Sequence, residues 1–220
     1  MTTTKTTDRL LTTSTATLAD ALDKIGRDGC LLDIVPLADG QRVSGRAFTV
    51  RYVAAGNPPG TVGDYLDDVE PGQVVVLDNN ARTDCTVWGD ILTAIADTKG
   101  VAGTVIDGVC RDASRALDLG YPIYSRGRYM RTGKDRVEVA AVQEPVDIAG
   151  VKIHPGDLIV GDDDGVVVIP RDIEEEVLRI AAEIDAREDR ILAAVLDGAS
   201  LGEARAQQGY HTLQRKDGAR

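Results

Sequence analysis

Buried strands that alternate with helical segments constrain the fold of this chain most strongly. The run QVVVLD (73–78) is typical of a buried strand, VWGDILTAIADTKG (87–100) of a helix and AGTVID (102–107) of a second buried strand. DASRALDLG (112–120) predicts a short helix and YPIY (121–124) a third strand. Strands that are joined through helices pair in parallel with right-handed crossovers. The middle of the chain therefore predicts a parallel α/β sheet.

The segments before this region add a helix and another strand. Apolar residues in 18–25 recur with helical spacing and predict an amphipathic helix that ends at Gly26. AFTVRYVA (47–54) alternates like a strand. Thr61, with Asp64 three positions later, predicts a capping box at the start of a further helix.

The second half of the chain changes character. RVEVAAV, PVDIAGVKI, DLIVG and GVVVIP are short β runs between turn residues, which predicts hairpins or a second sheet. The acidic run at 162–164 lacks the spacing of an EF-hand, and an Asp-Gly hairpin turn at Gly165 is expected instead. Residues 171–197 predict a long helix, and Ser200 with Glu203 predicts the capping box of a last short helix. A single α/β domain with a helical C-terminal arm fits this order best.

Composition argues against several classes of partner. Asp and Glu number 36 against 25 Lys and Arg, and the formal charge of −11 repels nucleic acid phosphates. The N-terminus has no apolar signal segment and nowhere is there a run of about 18 apolar residues to span a membrane, so a cytosolic protein is expected. Cys30, Cys85 and Cys110 are odd in number and far apart, which predicts buried, unreactive thiols rather than disulfides or a zinc site.

A cation and two carboxylates stand where the second buried strand gives way to a helix. Asp107, Arg111 and Asp112 lie within VIDGVCRDA, at the kind of strand end where ligands collect in parallel sheets. Arg111 offers a planar fork for a carboxylate, and Asp112 a hard oxygen suited to Mg²⁺ or Mn²⁺. From this stretch alone, a helix N-cap at Asp112 and a surface ion pair at Arg111 are the favoured alternative.

A second feature changes that balance. Gly89 and Asp90, in WGD, stand at the start of a predicted helix whose free N–H groups suit an anion. If the flanking strands are neighbours, this helix start and the loop 107–112 open on the same edge of the sheet. Both features would then face one pocket.

These motifs resemble the RraA-like family, that of the regulator of ribonuclease activity A and the 4-hydroxy-4-methyl-2-oxoglutarate aldolases. The family pattern is a helix-opening Gly with an acidic residue and, about twenty residues later, Arg-Asp; here Gly89-Asp90 precedes Arg111-Asp112. PGDLIVGDDDGVVVIP (155–170) is similar to a second signature of the family. The resemblance runs from about residue 15 to 200.

The resemblance implies a fold and an assembly. The expected fold is a swivelling-domain-like single α/β domain with β/β/α layers at 15–170, after a flexible N-terminus at 1–14 and before a helical C-terminal arm at 171–220. It also implies a homotrimer or a dimer of trimers, with active sites between subunits.

The resemblance further implies roles for the motif residues. By carry-over, the 2-oxo acid pocket involves Gly89, Asp90, Ile91, Leu92 and Arg111, and the divalent metal binds Asp112. Catalytic roles fall to Arg111, to Asp90 and to an acidic residue from a neighbour's C-terminal helix, for which Glu188 is the candidate and Asp189 and Glu183 are rivals.

The implied activity is a metal-dependent pyruvate aldolase that cleaves 4-hydroxy-4-methyl-2-oxoglutarate, or an oxaloacetate decarboxylase. The family often carries an acidic residue three positions after the Asp of Arg-Asp, whereas this chain has Arg115, which leaves the choice of reaction open. The basic loop 125–136 is interpreted as solvated rather than as a guide for anionic substrates. A non-catalytic regulator that binds a ribonuclease or helicase is the alternative function.

Overall fold

A central sheet forms where the apolar runs of the sequence lie side by side. The computed structural model describes residues 13–209. Its strands are β1 (Val35–Pro36), β2 (Val43–Ala54), β3 (Gln73–Thr86), β4 (Gly103–Cys110), β5 (Ile123–Arg128), β6 (Val137–Val142), β7 (Val146–Ile148), β8 (Val151–Ile153), β9 (Leu158–Asp162) and β10 (Gly165–Ile169). Within the described residues, eight strands form one sheet in the order β1-β5-β4-β3-β2-β9-β10, with β6 also paired to β2.

Helices connect and cover these strands. They are α1 (Thr15–Lys24), α2 (Asp90–Lys99), α3 (Ala113–Leu119), α4 (Glu174–Leu196) and α5 (Leu201–Gln207), with a 3-10 helix at Asp64–Asp68. The pairs β2–β3, β3–β4 and β4–β5 are parallel, and α2 and α3 are the crossovers of the last two. The predicted parallel α/β core is confirmed.

Strand β3 shows why both faces of the sheet are covered. Val75 and Leu77 pack towards α2, α3 and the 3-10 helix, whereas Val74 and Val76 pack towards the β7–β8 hairpin. Each is fully buried, and burial of such a side chain contributes about 1.5–3 kcal/mol. The result is three layers, hairpin, sheet and helices, as the predicted β/β/α layering requires.

The second half of the chain forms the predicted hairpins and a helical arm. β7 pairs with β8 in a separate two-stranded sheet, and β9 pairs with β10 through the acidic turn before Gly165. α4 and α1 pack together against β9 and β10 through apolar side chains. Ser200 and Glu203 form the predicted capping box at the start of α5.

Some local predictions were wrong. Thr61 and Asp64 form no capping box: the segment becomes a five-residue 3-10 helix that follows Gly63, without a side-chain cap. Cys30 is exposed rather than buried, and it lies in an isolated bridge to Val167. The prediction of a flexible N-terminus falls largely on residues 1–12, which lie outside the described residues. Among the helices that the structure describes, none is long and apolar enough to cross a membrane.

Candidate active site

The candidate site lies beyond the carboxyl ends of β3 and β4. These strands stay in parallel register as far as Asp78 and Asp107, after which β3 bulges outward and rejoins its partner with Thr86 beside Val109. β3 then leads through Trp88 into α2, while β4 leads through Arg111 and Asp112 into α3. The two connections touch, since the Arg111 N–H donates to the Trp88 carbonyl oxygen at 3.1 Å.

Trp88 fixes the connection between β3 and α2 by packing into the core. Its ring is buried and stacks on Tyr121 with ring centroids 6.3 Å apart. Its Nε1 donates to Thr93 Oγ1 at 2.9 Å, so that the indole is satisfied inside the core. This side chain anchors the start of α2.

Gly89 is the point of closest approach between the two connections. A Cβ at this position would lie 2.9 Å from Asp112 Oδ2 and 3.0 Å from Arg111 Nε. The absence of a side chain therefore lets both polar groups reach the N-terminus of α2. The backbone of Gly89 is extended, so this requirement is one of space and not of torsion angle.

Arg111 and Asp112 meet at that helix start. Arg111 Nε lies 3.3 Å from Asp112 Oδ2, and the Asp90 N–H donates to the same oxygen at 3.3 Å. Among the described residues, nothing donates to the other oxygen, Oδ1, and the side chain is 41% exposed. One carboxylate oxygen is thus open to a ligand, and the charge lies favourably at the positive end of α2.

The alternative interpretation of this loop, a helix N-cap at Asp112 with a surface ion pair at Arg111, is realised in part. Arg111 does form such an ion pair, with Asp112 itself. Asp112 does occupy the N-cap position of α3, but in a left-handed conformation (φ 55°) and without a side-chain hydrogen bond to the helix. Aspartate adopts this conformation more readily than most residues, and six other non-glycine residues of the described part share it, so the conformation alone does not mark a site.

Asp107 does not join Arg111. Its side chain is buried, and its Oδ1 accepts from Arg126 Nε at 2.6 Å while Oδ2 accepts the Ala81 N–H at 3.1 Å. The arrangement of one cation between two carboxylates, suggested by residues 107–112, is therefore wrong. The strand turns Asp107 towards its neighbour β5, and only the residues after Cys110 face the cavity.

A cavity of about 260 Å³ lies in front of these groups. Its predicted lining residues are Gly89, Asp90, Ile91, Leu92 and Arg111, and its other lining residues are Val62, Gly63, Thr86, Val87, Trp88, Thr132 and Lys134. Lys134 adds a second cation to this lining. It belongs to the basic loop 125–136, which the sequence analysis interprets as solvated. The charge of that loop is visible in the sequence, but the sequence does not show which of its cations faces the cavity.

The predicted third acid is remote from this cavity in its own chain. Glu188 lies on α4 and is not among the lining residues. Burial raises the pKa of Glu188, as do the nearby carboxylates of Asp20, Asp185 and Asp189. Of the rivals, Glu183 is bound by Arg179 at 2.6 Å. The catalytic role of Glu188 therefore stays a prediction that needs a second subunit.

Cys110 is close to the site but suited only to packing. It is buried, and burial raises the pKa of its thiol, which disfavours the reactive thiolate. Its Sγ lies 3.9 Å from Ser125 Oγ.

Comparison with known proteins shows which family this chain belongs to. The sequence model of the RraA-like family, described as Aldolase/RraA, matches residues 15–168. The chain belongs to the RraA-like family.

Relatives within this family carry different names. A Halalkalibacterium halodurans protein, provisionally named as a 4-hydroxy-4-methyl-2-oxoglutarate aldolase, is 36% identical over 91% of this chain and 93% of its own length. Protein DlpA of Legionella pneumophila is 40% identical over 92% of this chain, but the chain spans only 33% of DlpA.

Solved structures confirm the RraA fold. An uncharacterised protein from Pseudomonas syringae has a TM-score of 0.83 at 42% identity, over 90% of this chain and 97% of the other. Streptomyces coelicolor RraAS2, described as an unusual member of the RNase ES inhibitor RraA protein family, has a TM-score of 0.72 at 33% identity, over 82% of this chain and 94% of the other.

The residues present fit the divalent cation that the RraA-like resemblance implies. Within residues 13–209, no group of three or more His, Cys, Asp or Glu side chains is placed to hold a metal ion. Mg²⁺ does not need such a cage, because it keeps several waters and binds proteins through one or two carboxylates together with substrate oxygens. The open oxygen of Asp112, which contacts the lining residues Arg111 and Asp90 but does not itself line the cavity, is a ligand of this kind.

Proposed function

We propose that this protein is a divalent-metal-dependent lyase that releases pyruvate, by aldol cleavage of 4-hydroxy-4-methyl-2-oxoglutarate, by decarboxylation of oxaloacetate, or by both. One observation carries the proposal: Arg111 and the N-terminus of α2 line one cavity, and Asp112, which is not itself a lining residue, contacts both of them through Oδ2 and keeps Oδ1 open. The provisional aldolase name of the Halalkalibacterium halodurans relative supports the same class.

Asp112 is the proposed metal ligand, with Mg²⁺ or Mn²⁺ as the cation. When bound there, the cation would supply positive charge for the keto and carboxylate oxygens of a 2-oxo acid. Asp112 Oδ2 already contacts the Arg111 guanidinium, so Oδ1 is the oxygen that would remain for the metal.

Arg111 and the start of α2 are proposed to bind the substrate. A 2-oxo acid carboxylate suits the guanidinium of Arg111, and the lining residues Gly89 to Leu92 present the helix N-terminus to the same cavity. Cleavage of the C–C bond leaves an electron pair on pyruvate as its enolate. Arg111 would stabilise this negative charge as it develops, which is how a fixed cation lowers a barrier.

Aldol cleavage needs one more group than decarboxylation. The C4 hydroxyl proton must leave as the bond breaks, and we propose that Asp90, or Glu188 of a neighbouring subunit, orients the water that takes it. Oxaloacetate loses CO₂ without such a proton transfer. A weakened base would therefore lower aldol cleavage more than decarboxylation.

Arg115 is expected to influence this ratio. It is exposed in the first turn of α3, where its N–H donates to the Asp112 carbonyl oxygen at 3.0 Å. A cation here, in place of a carboxylate, adds positive charge beside the proposed metal. We propose that this favours decarboxylation, which has no need of an acidic residue at this position.

The assembly is proposed to be a homotrimer or a dimer of trimers. Glu188 lies on α4 and does not line the cavity of its own chain, so its proposed role would need α4 of another copy. α4 also leaves Leu192 and Leu196 exposed, as an apolar contact would require.

The second candidate is a regulator that binds a ribonuclease or helicase. The description of RraAS2 as a member of an RNase inhibitor family supports it. The open Asp112 oxygen favours the enzyme, because a docking surface has no use for a metal ligand beside a guanidinium.

The test is pyruvate release, followed through lactate dehydrogenase, from oxaloacetate and from 4-hydroxy-4-methyl-2-oxoglutarate. We expect release with Mg²⁺ or Mn²⁺, none above background with a chelator, and loss of release in Asp112→Ala with the oligomer preserved. No release from either substrate contradicts the proposed reactions. Binding of a ribonuclease or helicase that survives in Asp112→Ala would then support the regulator.

A further inference from the structure

A second cavity, of about 460 Å³, lies between the carboxyl end of β2 and the bulge in the middle of β3. It shares no lining residue with the candidate active site. The residues that matter are Arg51, Val53, Asp78, Asn79 and Val137, which all line it. The regular alternation of β3 breaks at this point, since the strand bulges between Asp78 and Arg82, and the consecutive residues Asp78 and Asn79 therefore line one space.

Asn79 is a buried acceptor without a donor. Its side chain is only 1% exposed, and its Nδ2 donates to the Cys85 carbonyl oxygen at 3.5 Å, which sets the orientation of the amide. Among the described residues, Oδ1 of Asn79 has no hydrogen-bond partner. This oxygen is itself enclosed by the protein, so Asn79 shows how the bulge of β3 packs and does not supply a contact for a ligand.

Asp78 is a second acceptor beside it. Asp78 and Asp107 are direct neighbours across β3 and β4, but Asp107 is neutralised by Arg126. Asp78 accepts the Asn80 N–H at 2.9 Å and forms no ion pair with any described residue. Burial, together with the charge of Asp107, raises the pKa of Asp78. A cationic donor in the cavity would offset both the desolvation of the Asp78 carboxylate and its repulsion by Asp107.

Arg51 places positive charge on the same cavity. It lies opposite Asp78 in the β2–β3 register, and the carboxylate with which it pairs, Glu144, is 3.9 Å away. Arg82, by contrast, is held by Asp84 through two contacts of 2.9 Å. Arg51 is therefore the cation that remains available to an incoming carboxylate.

We propose that this second cavity binds a small aliphatic α-amino acid, with its ammonium group on Asp78 and its carboxylate on Arg51. Val53, which lines the cavity and is 40% exposed, gives an apolar contact for an aliphatic side chain. An anion without an ammonium group leaves Asp78 unmatched, and a metal cation meets the charge of Arg51. The zwitterion matches donors and acceptors together, and the volume lies in the range of small-molecule sites.

The test is calorimetric titration of L-valine, beside two analogues that each lack one of its charges. 3-Methylbutanoate keeps the carboxylate and carries no 2-oxo group for the candidate active site, and isobutylamine keeps the ammonium group. We expect L-valine to bind, and each analogue to bind at least about tenfold more weakly. Equal binding of 3-methylbutanoate, or no binding of L-valine, L-alanine or L-leucine, overturns the proposal.

Variants locate the ligand. Asp78→Asn and Arg51→Gln are each expected to weaken L-valine binding about tenfold, with circular dichroism showing an intact fold. Arg179→Gln, which removes an exposed guanidinium of α4, is the matched control and leaves binding unchanged. Arg111→Ala also leaves it unchanged, because Arg111 belongs to the other cavity. Binding unaffected by both Asp78→Asn and Arg51→Gln, or abolished by Arg111→Ala, would contradict the assignment.

Discussion

Two acidic segments of this protein differ in how many of their carboxylate oxygens are hydrogen-bonded by the protein. Asp162, in the run of three aspartates, is buried and accepts the Thr15 N–H at 2.8 Å and Thr15 Oγ1 at 2.6 Å, one on each carboxylate oxygen. Asp112, beside Arg111, is half-exposed, and in the described residues one of its oxygens accepts nothing. Asp162 therefore links α1 to β9 through hydrogen bonds, whereas Asp112 keeps one oxygen open to a ligand.

This difference shows that unused acceptor capacity, rather than the number of carboxylates, marks a candidate site. A carboxylate whose oxygens are both occupied by protein donors contributes to stability and has little left for a ligand. The comparison predicts that changes at Arg111, Gly89 or Glu188 act on turnover, whereas a change at Asp162 acts on folding.

Arg111→Ala should have the largest effect. We expect kcat/KM for pyruvate release to fall about 10³-fold, equivalent to about 4 kcal/mol, because the cation that stabilises the enolate is lost. Arg111→Lys should recover only part of this, since a lysine keeps the charge but not the planar fork. The melting temperature should hardly change. A large loss of stability in Arg111→Ala would instead make this residue structural.

Asp162→Ala should lower the free energy of unfolding by about 3 kcal/mol, because two buried donors of Thr15 lose their acceptor. Urea denaturation measures this, and turnover per folded molecule should be unchanged. Asp164→Ala, at an exposed position of the same turn, should stay within about 0.5 kcal/mol of the parent. Equal destabilisation by both variants would remove the special role of Asp162.

Glu188→Gln should lower aldol turnover about 10²-fold, if the neighbouring subunit supplies this acid. Decarboxylation should change less, and Asp189→Asn should leave both reactions unchanged. Loss of turnover in Asp189→Asn, but not in Glu188→Gln, would show that Asp189 is the acid that the neighbouring subunit supplies.

The same Glu188→Gln variant should gain stability at neutral pH. Burial and nearby carboxylates raise the pKa of Glu188, so the folded protein holds this proton more tightly than the unfolded chain. The resulting stability is complete below the unfolded pKa and is lost as pH rises through the raised, folded pKa. Thermal unfolding should therefore show an advantage for the variant at pH 7 that disappears in acid. An advantage that is equal at both pH values would contradict this cause.

Gly89→Ala should have the smallest effect, about a tenfold loss of turnover. The added methyl group would displace Arg111 and Asp112, whose side-chain atoms can yield, so stability should be nearly unchanged. Gly202→Ala, in α5 with nothing within 4 Å, is the matched addition of a methyl group and should leave turnover intact. Full activity in Gly89→Ala would show that close approach at this position is unnecessary.

The parallel core was predictable because its signals are local. Apolar runs such as 73–78 and 102–107 are separated by helical segments, and short connections permit few arrangements. The extension of β3 to Thr86 was missed, because NNARTDCT is polar and is held by long-range contacts, namely a bulged pairing with β4 and a bridge from Thr86 to Thr132. The helix expected after Thr61 became a 3-10 helix, with Gly63 rather than Thr61 at its N-cap position.

The candidate site was predictable to a similar degree. The proximity of Gly89–Asp90 to Arg111–Asp112 follows from neighbouring parallel strands, and the structure confirms it. The partner of Asp107 did not follow, because Arg126 reaches it from the register of β5. The role of Glu188 and the boundary near residue 170 between domain and arm stay predictions, since they depend on contacts beyond one chain or on no local signal.

The most direct test of this account is titration of Mn²⁺, followed by electron paramagnetic resonance, into the parent protein, Asp112→Asn and Asp162→Asn. We expect the parent and Asp162→Asn to bind Mn²⁺ alike, and Asp112→Asn to lose binding while its fold is preserved. Undiminished binding in Asp112→Asn, or loss confined to a folded Asp162→Asn, would contradict the claim that the open oxygen of Asp112 is the metal ligand.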